Sequence, residues 1–104
     1  MASGDKKCSN HVSTGTVTCA NPIGDIHVEC GFKPMSVKVF NVTHPASLEW
    51  SAFMAADSGV KTVTAGTVSF IASDGITSLF NGFVIGDDAV VQQAGDVLHW
   101  VAIK

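Results

Sequence analysis

Apolar and polar residues alternate in short runs along most of this chain, and Gly, Asn, Asp and Ser fall between the runs. That is the period-2 signature of strands, whose successive side chains point to opposite faces. Residues 36–42 give the clearest case. Val37, Val39 and Asn41 share one face there, and Ser36, Lys38, Phe40 and Val42 share the other. Residues 48–54 set Leu48, Trp50, Ala52 and Met54 against Glu49, Ser51 and Phe53, so both faces carry large apolar groups. Residues 97–103 set Val97, His99, Val101 and Ile103 against Leu98, Trp100 and Ala102. Shorter strands are predicted over 14–18, 23–29, 60–64, 67–71, 76–80 and 83–85. Turns are predicted at Gly31-Phe32-Lys33-Pro34, Thr43-His44-Pro45, Ser73-Asp74-Gly75, Asn81-Gly82 and Ala94-Gly95-Asp96. Asn-Gly is the strongest short-range hairpin signal among them. Residues 52–56 also fit a helical turn, and 89–92 fit no single element. The expected fold is all-β: one small β-sandwich or Greek-key barrel of about eight short strands.

Residues 1–12 are polar and aperiodic, and are read as an N-terminal arm, leaving 13–104 as the β-sandwich domain. The arm's lysines are followed by no apolar stretch, so it does not read as a secretory signal. Synthesis in a reducing cytoplasm is expected. Composition narrows the picture further. Charged residues make up 14% and apolar residues 46%, which excludes disorder as a description of the whole chain. The six basic residues are all lysine and the net charge is -3, so nucleic-acid binding has no electrostatic footprint. No apolar run reaches the 18 residues of a membrane span. A mean hydropathy of +0.33 with so little charge favours a protein that buries surface in an assembly.

Candidate chemistry changes little. Cys8, Cys19 and Cys30 are odd in number and read as thiols, with one intramolecular disulfide as the alternative. Cys8-x-x-His11 and His27-x-x-Cys30 have the spacing of zinc-ligand pairs. His27 and Cys30 fall on opposite faces of a strand unless it ends between them, and no metal ligand is assigned. Asp74, Asp87 and Asp88 lie in turns, where aspartates usually bond the backbone. No nucleophile elbow, phosphate loop or dinucleotide fingerprint is present, so no catalytic or cofactor-binding residue is assigned. Aromatics are enriched in subunit contacts. Trp50, Phe53 and Met54 are therefore the candidate protein-interface residues.

The stretch Val28-Glu29-Cys30-Gly31-Phe32-Lys33-Pro34-Met35-Ser36-Val37-Lys38-Val39-Phe40-Asn41 resembles a family of small tailed-bacteriophage virion proteins. The resemblance continues through Leu48-Glu49-Trp50, Phe53-Met54-Ala55, Lys61-Thr62-Val63-Thr64-Ala65-Gly66-Thr67, Asp74-Gly75-Ile76 and Gly82-Phe83-Val84-Ile85-Gly86. It ends at Gly95-Asp96-Val97-Leu98-His99-Trp100-Val101-Ala102-Ile103, so it covers about residues 26–104. The opening and closing motifs are also similar to the trimeric β-sandwiches of phage fibre tips and H-type lectins. The resemblance implies a non-enzymatic virion structural protein, with a capsid decoration (cement) protein favoured. The chain starts at a Met and encodes no shaft, which is why decoration is preferred to a tail-fibre tip or lectin-like receptor-binding module. The implied partners are the major capsid protein and further copies of the chain, with a trimer favoured. The implied location is the capsid surface, after synthesis in the host cytoplasm. The lectin-like alternative would expose aromatics in loops, near 44–47 or 87–92.

Overall fold

In a computed structural model, which describes residues 6–8 and 12–104, the alternating runs form nine antiparallel strands. They are β1 (Lys6–Cys8), β2 (Val12–Thr18), β3 (Ile26–Glu29), β4 (Ser36–Asn41) and β5 (Ala46–Ser51), then β6 (Ser58–Thr62), β7 (Val68–Leu79), β8 (Gly82–Ile85) and β9 (Val97–Ile103). There is no helix among the described residues. All nine strands join one sheet in the order β1-β2-β9-β4-β5-β6-β7-β8-β3. Strands β4 to β7 are joined to their successors by short connections and pair with them in turn. Two central connections are not local: β9 sits between β2 and β4, and β3 closes the far edge beside β8.

The sheet curls upon itself. In sheet order β9 and β8 are separated by β4, β5, β6 and β7. Even so, the Phe83 ring of β8 packs edge-on against Trp100 of β9, with centroids 5.4 Å apart and planes at 73°. The result is an all-β, sandwich-like half-barrel built from one continuous sheet. Burying the inner face drives the curl, because fully burying one Leu, Ile, Val or Phe side chain contributes about 1.5–3 kcal/mol. Val37, Val39, Leu48, Leu98 and Ala102 supply one wall, and Ile76, Phe83 and Ile85 supply the other; all are essentially inaccessible. The alternation read for 36–42 and 97–103 holds at each of these positions.

The corner is made by β7, and here the sequence reading changes. Two strands were expected, over 67–71 and 76–80, divided by a turn at Ser73-Asp74-Gly75. Instead β7 is one strand of twelve residues. Its first part pairs with β6, from Val68 opposite Thr62 to Ile71 opposite Gly59, and its last part pairs with β8. The turn signal is real, but it appears as a bend within the strand. Asp74 takes φ 60°, and the β6 register shifts between Ser58 and Gly59 at the same level. A bulge of this kind sharpens strand twist. Gly75 and Gly86 let the backbones meet at the corner. A Cβ on Gly75 would collide with the Ser58 carbonyl, and one on Gly86 with the Asp74 backbone.

Strand edges shift by a few residues elsewhere. The strand expected over 23–29 begins at Ile26, and 60–64 begins at Ser58. Residues 89–92 form a turn in which Asp88 Oδ1 accepts from the Val90 and Val91 N–H groups. Of the segment expected as an arm, Lys6–Cys8 form β1 against β2, and Val12 opens β2. Its remaining residues lie outside the described ones.

Candidate functional site

The strand registers place three cross-strand rows on the outer face of the sheet. Val101, Lys38, Glu49, Val60 and Phe70 form the central row across β9, β4, β5, β6 and β7. His99, Phe40, Ser47, Thr62 and Val68 form the next, and Ile103, Ser36 and Ser51 begin the third. Alternation demands that every second residue leave the core; it does not demand that such residues be apolar. Here several are. Phe70 is 61% exposed and Val68 62%, while Ile103 and Phe40 also stand open to solvent. Single exposed hydrophobics are ordinary, but a contiguous apolar face marks an interaction surface.

The polar content of this face is almost self-neutralising. Lys38 Nζ lies 3.8 Å from Glu49 Oε2, and the same ammonium sits 4.9 Å from the centre of the Phe40 ring. Both side chains are about half exposed, so the pair adds little stability. Its effect is to leave the face without net charge.

An apolar groove of about 330 Å³ opens on the same face. Met54, Val60, Val101 and Ile103 supply apolar wall, and Ser36 and Ser51 contribute polar groups. Of the three candidate interface residues, Trp50 and Met54 line the groove and Phe53 does not. Trp50 is 6% exposed and belongs to the core; its indole N–H donates to the Ala55 carbonyl at 3.0 Å, which fixes the loop after β5. Met54 is half-buried and packs between core and groove. Phe53 is 97% exposed. The helical turn read at 52–56 is a tight turn, with Met54 N–H donating to the Ser51 carbonyl. It throws the Phe53 ring outward.

A second polar cluster lies where the β4–β5 turn meets the entry to β9. Asp96 is 2% exposed, and its Oδ2 accepts from Asn41 Nδ2 at 2.7 Å and lies 2.8 Å from His44 Nδ1. Asn41 also donates to the Val91 carbonyl, and its Oδ1 accepts from the Thr43 and His44 N–H groups. Burial pushes the Asp96 carboxyl up, but the Asn41 amide and His44 outweigh it and hold the carboxyl below the usual carboxylate range. A carboxylate bonded to an imidazole supplies two of the three members of a nucleophilic triad, which also needs a hydroxyl or thiol on the ring. Among the described residues none bonds to His44. The neighbouring Thr43 Oγ1 accepts from Val97 N–H, and Thr64 Oγ1 donates to the Pro45 carbonyl. What the cluster does here is lock the turn.

The corner itself is acidic. Asp74 bonds to Asp87, and this shared hydrogen bond, with burial and the neighbouring Asp57 and Asp88 charges, raises the Asp74 carboxyl. Asp88 is drawn away into an ion pair with Lys61 at 2.9 Å, both side chains being largely covered. Burial pushes Asp88 up, but Lys61 and the Val90 and Val91 amides bring it below the usual range. Among the described residues no group of three or more His, Cys, Asp or Glu side chains is placed to hold a metal ion. Cys19 and Cys30 are buried thiols, the latter donating to the Phe32 carbonyl at 3.2 Å. Burial pushes the Cys19 thiol up, away from the reactive thiolate form. The Cys8 side chain and His11 lie outside the described residues.

Sequence reasoning missed two features. The Asp96–Asn41–His44 cluster joins residues separated by more than fifty positions, and no local pattern announces it. The second is the hairpin ring Phe80, 89% exposed, which had been placed in a strand. The loops 44–47 and 87–92 hold no aromatic residue; the exposed loop aromatics are Phe53 and Phe80. No family model, curated protein or solved structure matches this chain.

Proposed function

We propose that this chain is a non-enzymatic structural protein of a tailed-bacteriophage virion, most specifically a capsid decoration protein that binds the assembled head and stabilises it. The sequence motifs noted above suggest the virion. The observation that carries the mode of action is the outer sheet face, where exposed Phe40, Val68, Phe70 and Ile103 stand among polar residues, Lys38 and Glu49 offset each other, and an apolar groove opens. Such a protein acts by linkage. Whatever binds only the assembled shell shifts the equilibrium towards it, by RT ln(1 + [L]/Kd) per site. The partners in this reading are the major capsid protein and further copies of the chain.

Phe53 and Phe80, both in loops, favour a second reading as a tail-fibre tip that recognises a host surface. Imaging of phage particles labelled with gold-tagged antibody against the chain separates the two. Regular label over the head is expected. Label confined to the tail end would replace decoration with receptor binding, and unlabelled particles would remove both.

A further inference from the structure

We infer that the outer face is a self-association surface, in which the Phe53 ring of one copy enters the Met54–Val60–Val101–Ile103 groove of another. The inference rests on the virion-structural reading and names the surface through which that assembly forms. Phe53 does not fill its own groove: it is 97% exposed, although its chain neighbour Met54 is part of the groove wall. One chain therefore carries both an unsatisfied aromatic knob and an apolar hole. At about 330 Å³ the hole lies at the small end of the range for small-ligand sites, and is large enough to admit one aromatic ring.

Charge narrows the choice of occupant. Lys38 and Glu49 neutralise each other at the groove, and the other polar groups there are the hydroxyls of Ser36 and Ser51. A polyanion or a strongly basic partner meets no complementary field on this face, whereas a second copy presents the same neutral, apolar character. Size is also sufficient. The molecule measures 34 × 30 Å across its broad dimensions, room for the roughly 800 Å² per partner that a standard interface buries. A knob and a hole that are separate on one protomer also permit head-to-tail contacts, which close into a ring when the rotation allows.

Sedimentation velocity over a dilution series tests this with the full chain. The wild type is expected to sediment as a multiple of 10.8 kDa. Phe53→Ser should raise the dissociation constant at least about tenfold, as expected for a buried aromatic anchor. Phe80→Ser, which removes an equally exposed ring outside the groove, should leave association unchanged. Because Phe53 touches solvent on nearly all sides, its substitution leaves the fold intact, which an unchanged far-ultraviolet circular dichroism spectrum confirms. A second variant, Val101→Lys, places a charge in the hole and should weaken association likewise. A wild type that is monomeric throughout, or a Phe53→Ser protein that associates as well as Phe80→Ser, overturns the inference. If a monomeric wild type still labelled phage heads, self-association would fall and the virion reading would stand. An associating protein absent from particles would do the reverse.

Discussion

Three aspartates carry most of the electrostatic information at the scale of single residues. Asp88 and Asp96 have folded pKa values below the ordinary range, so each stabilises the fold fully above its unfolded value, near about 3.9. That contribution is lost as pH falls through the depressed folded value. Urea midpoints should therefore decline on acidification below about pH 4, and Asp88→Asn and Asp96→Asn should each flatten the decline. Asp74 has the opposite sign. Its folded pKa is raised, so its ionisation opposes folding as pH rises through that value. Asp74→Asn should raise the melting temperature at pH 7, and the gain should vanish in acid, where the wild-type carboxyl is protonated in both states. Asn is the suitable replacement because it tolerates the φ of 60° at this position.

At the scale of elements, the corner of the sheet sets the architecture. Gly75→Ala drives a methyl group into the Ser58 backbone, which has no flexible end to yield, and should destabilise the protein by more than about 3 kcal/mol. At Gly24 a Cβ meets nothing within 4 Å, and Ala there should be neutral or stabilising by up to about 1 kcal/mol. Chemical denaturation of the two variants measures the difference. The same corner shows what the sequence made legible. Strands β4 and β9 were readable from alternation alone, because Val37, Val39, Leu98 and Trp100 must all face one core. The bend at Asp74 was readable as a signal but not as a structure: a turn and a strand bend demand the same φ > 0 residue, and only tertiary pairing tells them apart. Trp50 and Phe53 illustrate the same limit at the site. Both are large aromatics in one stretch, yet Trp50 follows the alternation of β5 into the core beside Leu48, whereas the strand ends at Ser51 and the turn after it leaves Phe53 97% exposed. The alternation shows the first; where the strand stops is not written in it.

For the whole molecule, the inner face accounts for folding and leaves the outer face without a task inside the monomer. Val68 and Phe70 on β7, Phe40 on β4 and Ile103 on β9 keep much of their apolar surface in water. A surface of this kind risks aggregation unless something specific covers it. In the present account the cover is supplied by other copies and by the capsid, so the chain should be present on the virion in large number. The most direct measurement is its copy number in purified particles relative to the major capsid protein, by quantitative mass spectrometry against isotope-labelled peptides of both. A ratio of the same order as the capsid protein is the result the account predicts. A few copies per particle, or none, would contradict it.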